Sequence, residues 1–174
     1  MILSLNESDH AMLAEYTLPA QALVFQAAEN ISPTNAIMDI RKPLVILGPQ
    51  DKMALFDMAE QAIIRNDITS FSWLNDHTVA YSTGLEIWAY NTITKNHWLI
   101  DRGSETVKSI AWHPSGAYVA VTTSGTGLIE LDDRDMRHRV PLGIESDFHF
   151  LRFSADGTRV YVVSHEVNRV MRIQ

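Results

Sequence analysis

Apolar and polar residues alternate with period two through three stretches of the chain, 68–91, 107–132 and 148–173, interrupted by short clusters rich in Asn, Asp, Pro, Ser and Gly. Alternation of this kind predicts strands with one buried face, and the clusters predict the tight turns that join antiparallel neighbours. The three stretches share one plan. Each opens with a pair of large apolar residues two positions apart, Phe71 and Trp73, Ile110 and Trp112, Leu151 and Phe153, which period two places on one face of a first strand. A polar turn follows, "LNDH", "HPSG" or "SADG", then a second strand at 79–82, 119–122 or 160–163. After another turn a third strand is predicted in "LEIWAY", "LIELD" or "VMRI", and "HWLI" (97–100) and "HRVPL" (138–142) supply a fourth in the first two copies.

The leading aromatics Trp73, Trp112 and Phe153 recur after 39 and then 41 residues. Four antiparallel strands in a repeat of about 40 residues is the composition of a β-propeller blade. A degenerate copy lies upstream, divisible as 36–40, 44–47, 53–58 and 62–64, with Pro49, Gln50 and Asp51 turning between its second and third strands. A helix over "DKMALFDMAEQAIIRN", capped by Asp51, competes with that division. Strands are preferred because "KMALFDM" falls where the other copies place their third strand. Residues 1–30 read either as three strands, in "MILSLN", "AMLAEYTL" and "ALVFQAA", or as helix over 7–29 broken near Pro19, with strands slightly ahead.

The expected fold is therefore all-β, a β-propeller of about four to five blades of four antiparallel strands. The chain reads as one propeller domain or propeller segment over 1–174. Within it, 1–34 is the least legible part, 35–66 a degenerate blade, 67–105 and 106–146 blades, and 147–174 an incomplete blade of three strands. An apolar strand edge left bare is an aggregation hazard. The missing strand is accordingly expected either from residues 1–6, which would close the ring, or from another polypeptide, which would make the chain part of a larger propeller.

"FSADGTRVYVVSHEVNRVMRI" resembles a YVTN-type propeller repeat through Ser154, Asp156, Gly157, Tyr161, Val162, Val170 and Ile173, with Ala155 where that pattern has proline. "IAWHPSGAYVAVTTSGTGLIELD" is similar to both YVTN and WD40 repeats through Trp112, His113, Pro114 and Gly116. The resemblance covers 68–174 well and 35–67 poorly, and it implies the propeller fold. It departs from WD40 in lacking a Gly-His opening and a Trp-Asp close, so the WD40 hydrogen-bond set cannot be carried over residue by residue.

Composition narrows the function classes. With 46% hydrophobic and 20% charged residues the chain is that of a folded protein. A formal charge of −7 weighs against nucleic acid as partner, because neutralising phosphates takes a basic face. The absence of cysteine excludes disulfides, thiol catalysis and Cys-ligated metal. No apolar run reaches the roughly 20 residues that span a bilayer, and "MILSLNESDH" lacks a basic leader, so a cytoplasmic protein without a membrane span is expected.

Catalytic, cofactor and metal residues are not expected. No two of the seven histidines lie four apart as on a zinc-binding helix, no Gly-x-Ser-x-Gly elbow occurs, and "SGTG" at 124–127 joins two strands without the Lys or following helix of a phosphate loop. His113 reads as a structural turn residue. Trp73 and Trp112 read as packing between blades, while Trp88 and Trp98 are less constrained by register. The candidate partner-binding loop is the mixed-charge "DDRDMRHR", with Asp132, Asp133, Arg134, Asp135, Arg137 and Arg139 between a third and a fourth strand. The expected function is a noncatalytic scaffold or interaction module that binds a protein partner, or a second copy of itself, through its loop faces. The alternative is an enzyme resembling propeller lactonases, or a small-ligand binder, with polar side chains converging at a central channel.

Overall fold

The computed structural model describes residues 2–5, 11–15, 23–24, 36–41, 43–49, 52–60, 62–132, 138–145, 148–164 and 168–172. All regular structure among them is β. The strands are β1 (Ile2–Leu5), β2 (Ala11–Glu15), β3 (Leu23–Val24), β4 (Ala36–Arg41), β5 (Leu44–Pro49), β6 (Met53–Asp57), β7 (Ala62–Ile68), β8 (Ser70–Asn75) and β9 (Thr78–Ser82). They continue as β10 (Glu86–Asn91), β11 (His97–Arg102), β12 (Ser109–Trp112), β13 (Tyr118–Thr122), β14 (Gly125–Glu130), β15 (Arg139–Glu145), β16 (Phe148–Phe153), β17 (Arg159–Ser164) and β18 (Asn168–Arg172). Five antiparallel sheets result, each an up-and-down meander: β1–β3, β4–β7, β8–β11, β12–β15 and β16–β18.

The chain divides into two compact units, Met1–Asp67 and Ile68–Gln174. In the first, the helix considered over 51–66 is replaced by β6, a tight turn and β7. The burial pattern of β6 explains the outcome: Met53, Leu55 and Asp57 are buried in strict alternation, a period no helix face reproduces. Asp57 tolerates burial because its Oδ1 accepts from the amides of Ala59 (2.9 Å) and Glu60 (3.2 Å), so the carboxylate builds the turn that ends the strand. Ile2–Leu5 pairs with Ala11–Glu15, so its strand partner among the described residues belongs to its own unit. The C-terminal sheet has three described strands, ending on β18.

The second unit stacks three sheets face to face through two seams. At the first, Ile110, Trp112, Val119, Val121 and Ile129 of sheet β12–β15 meet Ala80, Ile87, Ala89 and Ile100 of sheet β8–β11, with Leu74, Trp98 and Leu131 packed against them. At the second, Leu151, Phe153, Val160 and Val162 of sheet β16–β18 meet Ala111 and Ala120, flanked by Leu128, Leu142 and Met171. Thus Ile110 and Trp112 face one way and Ala111 the other, as period two requires. Trp98, unassigned by register, belongs to the first core.

At both seams the first two strands of one sheet offer small residues to large side chains of the next, Ala80 with Ser70 and Ser72 at the first and Ala111 and Ala120 at the second. Small residues let the inner strands approach closely enough to hydrogen-bond through side chains. The amide of Ile110 donates to Ser70 Oγ (3.2 Å) and that of Trp112 to Ser72 Oγ (2.9 Å), stepping along β8 and β12 in parallel.

One turn departs from expectation. "SGTG" is not a loop as a whole: Thr123 N–H donates to Gly125 O (2.9 Å), and Gly125, Thr126 and Gly127 already belong to β14. Gly127 leaves room there for a close approach, since a Cβ would lie 3.1 Å from Arg139 Nε and 3.3 Å from the Val140 carbonyl oxygen.

Candidate interaction surface

In an up-and-down sheet the first and third connections emerge at one end and the second at the other. The β8–β9, β10–β11, β12–β13, β14–β15 and β16–β17 connections therefore share an end within their sheets. Two repeated contacts bring these ends together across the seams. The position after each leading aromatic packs on the turn glycine of the next sheet. A Cβ on Gly116 would meet Leu74 Cδ2 at 3.3 Å, and a Cβ on Gly157 would meet His113 Nε2 at 2.4 Å. Both glycines have positive φ, +77° and +73°, and both turns close with the glycine amide donating to the residue three before it, His113 O (2.8 Å) and Ser154 O (2.9 Å). The "LNDH" turn is built differently: Asn75 pairs with Thr78 and its side chain accepts from the His77 amide (2.9 Å).

His113 is the strut of the second seam. Its Nε2 lies 3.1 Å from the Gly157 carbonyl oxygen, which can only accept, so Nε2 carries the proton. Its Nδ1 then accepts from the Ser115 amide (3.1 Å). The ring also stands edge-on to Phe153 (4.9 Å between centroids) and Tyr118 (5.8 Å). A metal-ligand role is thereby left without a free nitrogen. Among the described residues no three His, Asp or Glu side chains gather as a metal site.

Asp156 sets the shape of the Ser154–Gly157 turn. Ser154 Oγ donates to its Oδ1 (2.5 Å), as do the amide and hydroxyl of Thr158 (each 3.0 Å), and these bonds hold its carboxyl down to about 2 from 3.8. Because the folded value is depressed, the stabilisation is present above the ordinary carboxylate range and is lost as pH falls towards the folded value. The melting-temperature gap between the native chain and Asp156→Ala should hold constant at neutral pH and narrow progressively below about pH 4. A gap independent of pH would mean that the ionised carboxylate does not carry the turn. At the opposite end of the sheets, Glu105 is likewise held below its usual range, first by the Ser124 hydroxyl (2.7 Å) and then by Thr123, tying the β11–β12 connection to the β13–β14 turn.

The candidate loop lies between β14 and β15, on the end that the two glycine contacts align. Its entry is anchored where Leu131 N–H donates to Ala117 O (2.9 Å). Asp132 is half-buried just beyond β14. Arg139 is the first residue of β15 rather than part of the loop, and its Nη2 donates to Thr123 Oγ1 (3.0 Å). Asp133, Arg134, Asp135 and Arg137 lie outside the described residues. Trp88 does not join an aromatic platform with the other tryptophans: its Nε1 donates to Glu86 Oε2 (2.8 Å) and its ring stacks obliquely on His97. Reasoning from sequence missed the inter-sheet role of the turn glycines; the signal is their shared distance of four residues after the leading aromatic.

The fold defined by these sheets is that of a β-propeller, and the chain matches part of the length of solved propellers. No family model and no curated protein sequence matches. Among solved structures, the chain is similar to the β-propeller domain of Cps50 (Swd1) from Myceliophteria thermophila, with TM-score 0.61 and 14% identity over 80% of this chain and 54% of that one. It is also similar to Kluyveromyces lactis Hsv2, with TM-score 0.62 and 15% identity over 97% of this chain and 59% of that one. KlAtg21, solved in complex with the coiled coil of AgAtg16, gives TM-score 0.59 and 10% identity over 95% of this chain and 64% of that one. The chain thus spans between 54% and 64% of the length of these structures.

Proposed function

We propose that this chain is a noncatalytic, cytoplasmic propeller segment that binds a protein partner through the loop end carrying Asp132, Asp133, Arg134, Asp135, Arg137 and Arg139. The observation that carries the reading is the rigidity beneath that end: the β12–β13 and β16–β17 turns are fixed by contacts across the seams, and the loop starts from a residue bonded to the first of them. Loops on a rigid scaffold are where recognition residues gather. A structural neighbour solved with a coiled-coil partner supports a protein as the ligand class. The net charge of −7 argues against nucleic acid. The residues of the β16–β17 turn, Ser154, Asp156 and Gly157 followed by Tyr161 and Val162, favour a blade of YVTN character within the propeller class. Among the described residues there is no helix long and apolar enough to cross a membrane.

Site-specific photo-crosslinking in cells tests the reading. A photoreactive residue replacing Arg134 should give one discrete protein adduct, lost on adding Arg137→Glu, while the same group at Ser104 on the opposite end should give none. Equal adducts from both positions, or none from position 134, would contradict it. An adduct with the mass of two copies would identify the partner as the chain itself.

A further inference from the structure

The two seams of the second unit are closed differently between their first strands. At the first seam two hydroxyls of β8 accept from two amides of β12, Ser70 from Ile110 and Ser72 from Trp112. Those amides are available because His113 N–H donates to Tyr118 O, and the alternation of an antiparallel ladder then turns the amides of Ile110 and Trp112 away from β13. The same phase holds one sheet further on. Ser154 N–H donates to Arg159 O, so Leu151 and Phe153, which take the places of Ile110 and Trp112, turn their amides away from β17. The residues in the places of Ser70 and Ser72 are Ser109 and Ala111.

The hydroxyl-to-amide bonds are not repeated there. Ala111 has no side-chain oxygen to offer, and Ser109 Oγ accepts from no amide among the described residues. The amides of Leu151 and Phe153 thus meet no acceptor among the described residues, although the two residues are only 4% and 7% exposed. A further unpartnered group lies on the same seam: Thr126 is 3% exposed, and its hydroxyl has no partner. Pairing sets Ser109 opposite Thr122 and Thr122 opposite Thr126, a row of hydroxyls across three strands. The row stands two residues from Ala111, Ala120 and Leu128, which pack at the second seam, and so shares their face. Thr122 spends its proton on Ser109 O (3.4 Å). Buried donors and hydroxyls in protein interiors are satisfied by water where no protein atom reaches them.

We propose that the second seam is closed through bound water, one molecule bridging Ser109 Oγ and the Leu151 amide and another held by the Phe153 amide beside Ala111, with the hydroxyls of Thr122 and Thr126 extending the site. Water takes the part that the Ser70 and Ser72 hydroxyls play at the first seam, because it accepts from an amide and donates onward. An anion could also accept from these donors, but it would bury a charge against the apolar side chains of Leu151, Phe153, Val160 and Val162. This site lies between two described sheets and stands independently of the loop end.

Amide exchange and water–amide cross-relaxation, both measured by NMR on the full chain, test the proposal. Each amide is referenced to the neighbour that pairs within its own sheet, so that differences in sheet stability cancel. Phe153 relative to Arg152 should exchange about fivefold or more faster than Trp112 relative to Ala111. Leu151 and Phe153 should both show direct cross-relaxation with water, and Ser109→Ala should leave the signal at Leu151 in place. Ala111→Ser puts a hydroxyl where Ser72 stands at the other seam. It should slow Phe153 to the relative rate of Trp112 and abolish its water signal, with Leu151 unchanged. Equal relative exchange at the two seams in the native chain, or no water signal at Phe153, would overturn the proposal even if Ala111→Ser fails to fold. Loss of the water signals on adding chloride or phosphate would replace water with an anion.

Discussion

Gly157→Ala should destabilise the second unit by about 3 kcal/mol, from two sources acting at one atom. The backbone at Gly157 has φ +73°, which costs a residue with a Cβ on the order of 1–2 kcal/mol. The added methyl would also collide with Nε2 of His113, whose half-buried ring, held by Ser115 and Phe153, would have to give up its bond to the Gly157 carbonyl oxygen to make room. Gly84→Ala is the matched control, with φ +85° and nothing within 4 Å of the new atom, and should show the backbone cost alone. In the double variant Gly157→Ala, His113→Ala the losses should add to less than their sum, because the second change removes what the first collides with. Chemical denaturation of the native chain, the two glycine variants, His113→Ala and the double variant measures all of this. Equal losses for Gly84→Ala and Gly157→Ala would show that the turn does not press on the neighbouring sheet.

Trp112→Ala should cost about 3–5 kcal/mol, the range for removing a large aromatic from a packed core. Trp112 is 6% exposed and packs with residues of both sheets at the first seam, so its loss empties space that neither sheet can fill alone. Its indole Nε1 also donates to Gly116 O (3.3 Å), and the same glycine rests on Leu74, so core and turn should loosen together. The expected signature is a large drop in denaturation midpoint without a change in the cooperativity of the second unit. A loss below about 1 kcal/mol would place the indole on the wrong face of β12.

The strands were legible because period two is a local property. Ile110 and Trp112 on one side and Ala111 on the other follow from the alternation alone, and 36–40, 44–47, 53–58 and 62–64 fall close to β4–β7 even though "DKMALFDMAEQAIIRN" is composed of good helix formers. Agreement with the other repeats decided that segment correctly. What alternation cannot convey is depth: Ser70, Ser72 and Ala80 read as unremarkable polar or small positions, yet they let β8 and β12 approach and bond.

Glycine was the other source of error. In "SGTG" it suggested a loop, whereas Gly127 sits inside a strand to admit the side chain of Arg139. His113 was rightly read as structural, but its partner, Gly157 O, is 44 residues away and no local pattern points to it. A run of mixed charge, as in the candidate loop, specifies solvent exposure without specifying shape, and most of that loop lies outside the described residues. Arg139 shows the limit: by composition it belongs with the loop charges, by hydrogen bonding with the strand and Thr123.

The account rests on sheets stacked so that each turn glycine seats on the sheet before it, aligning the loops at one end. Nuclear Overhauser contacts in solution test this most directly, because the two pairs involved are distant in sequence and belong to different sheets. The account predicts contacts from the Gly157 α-protons to the His113 ring and from the Gly116 α-protons to the Leu74 methyl groups. Contacts confined within each sheet, with neither of these present, would contradict it.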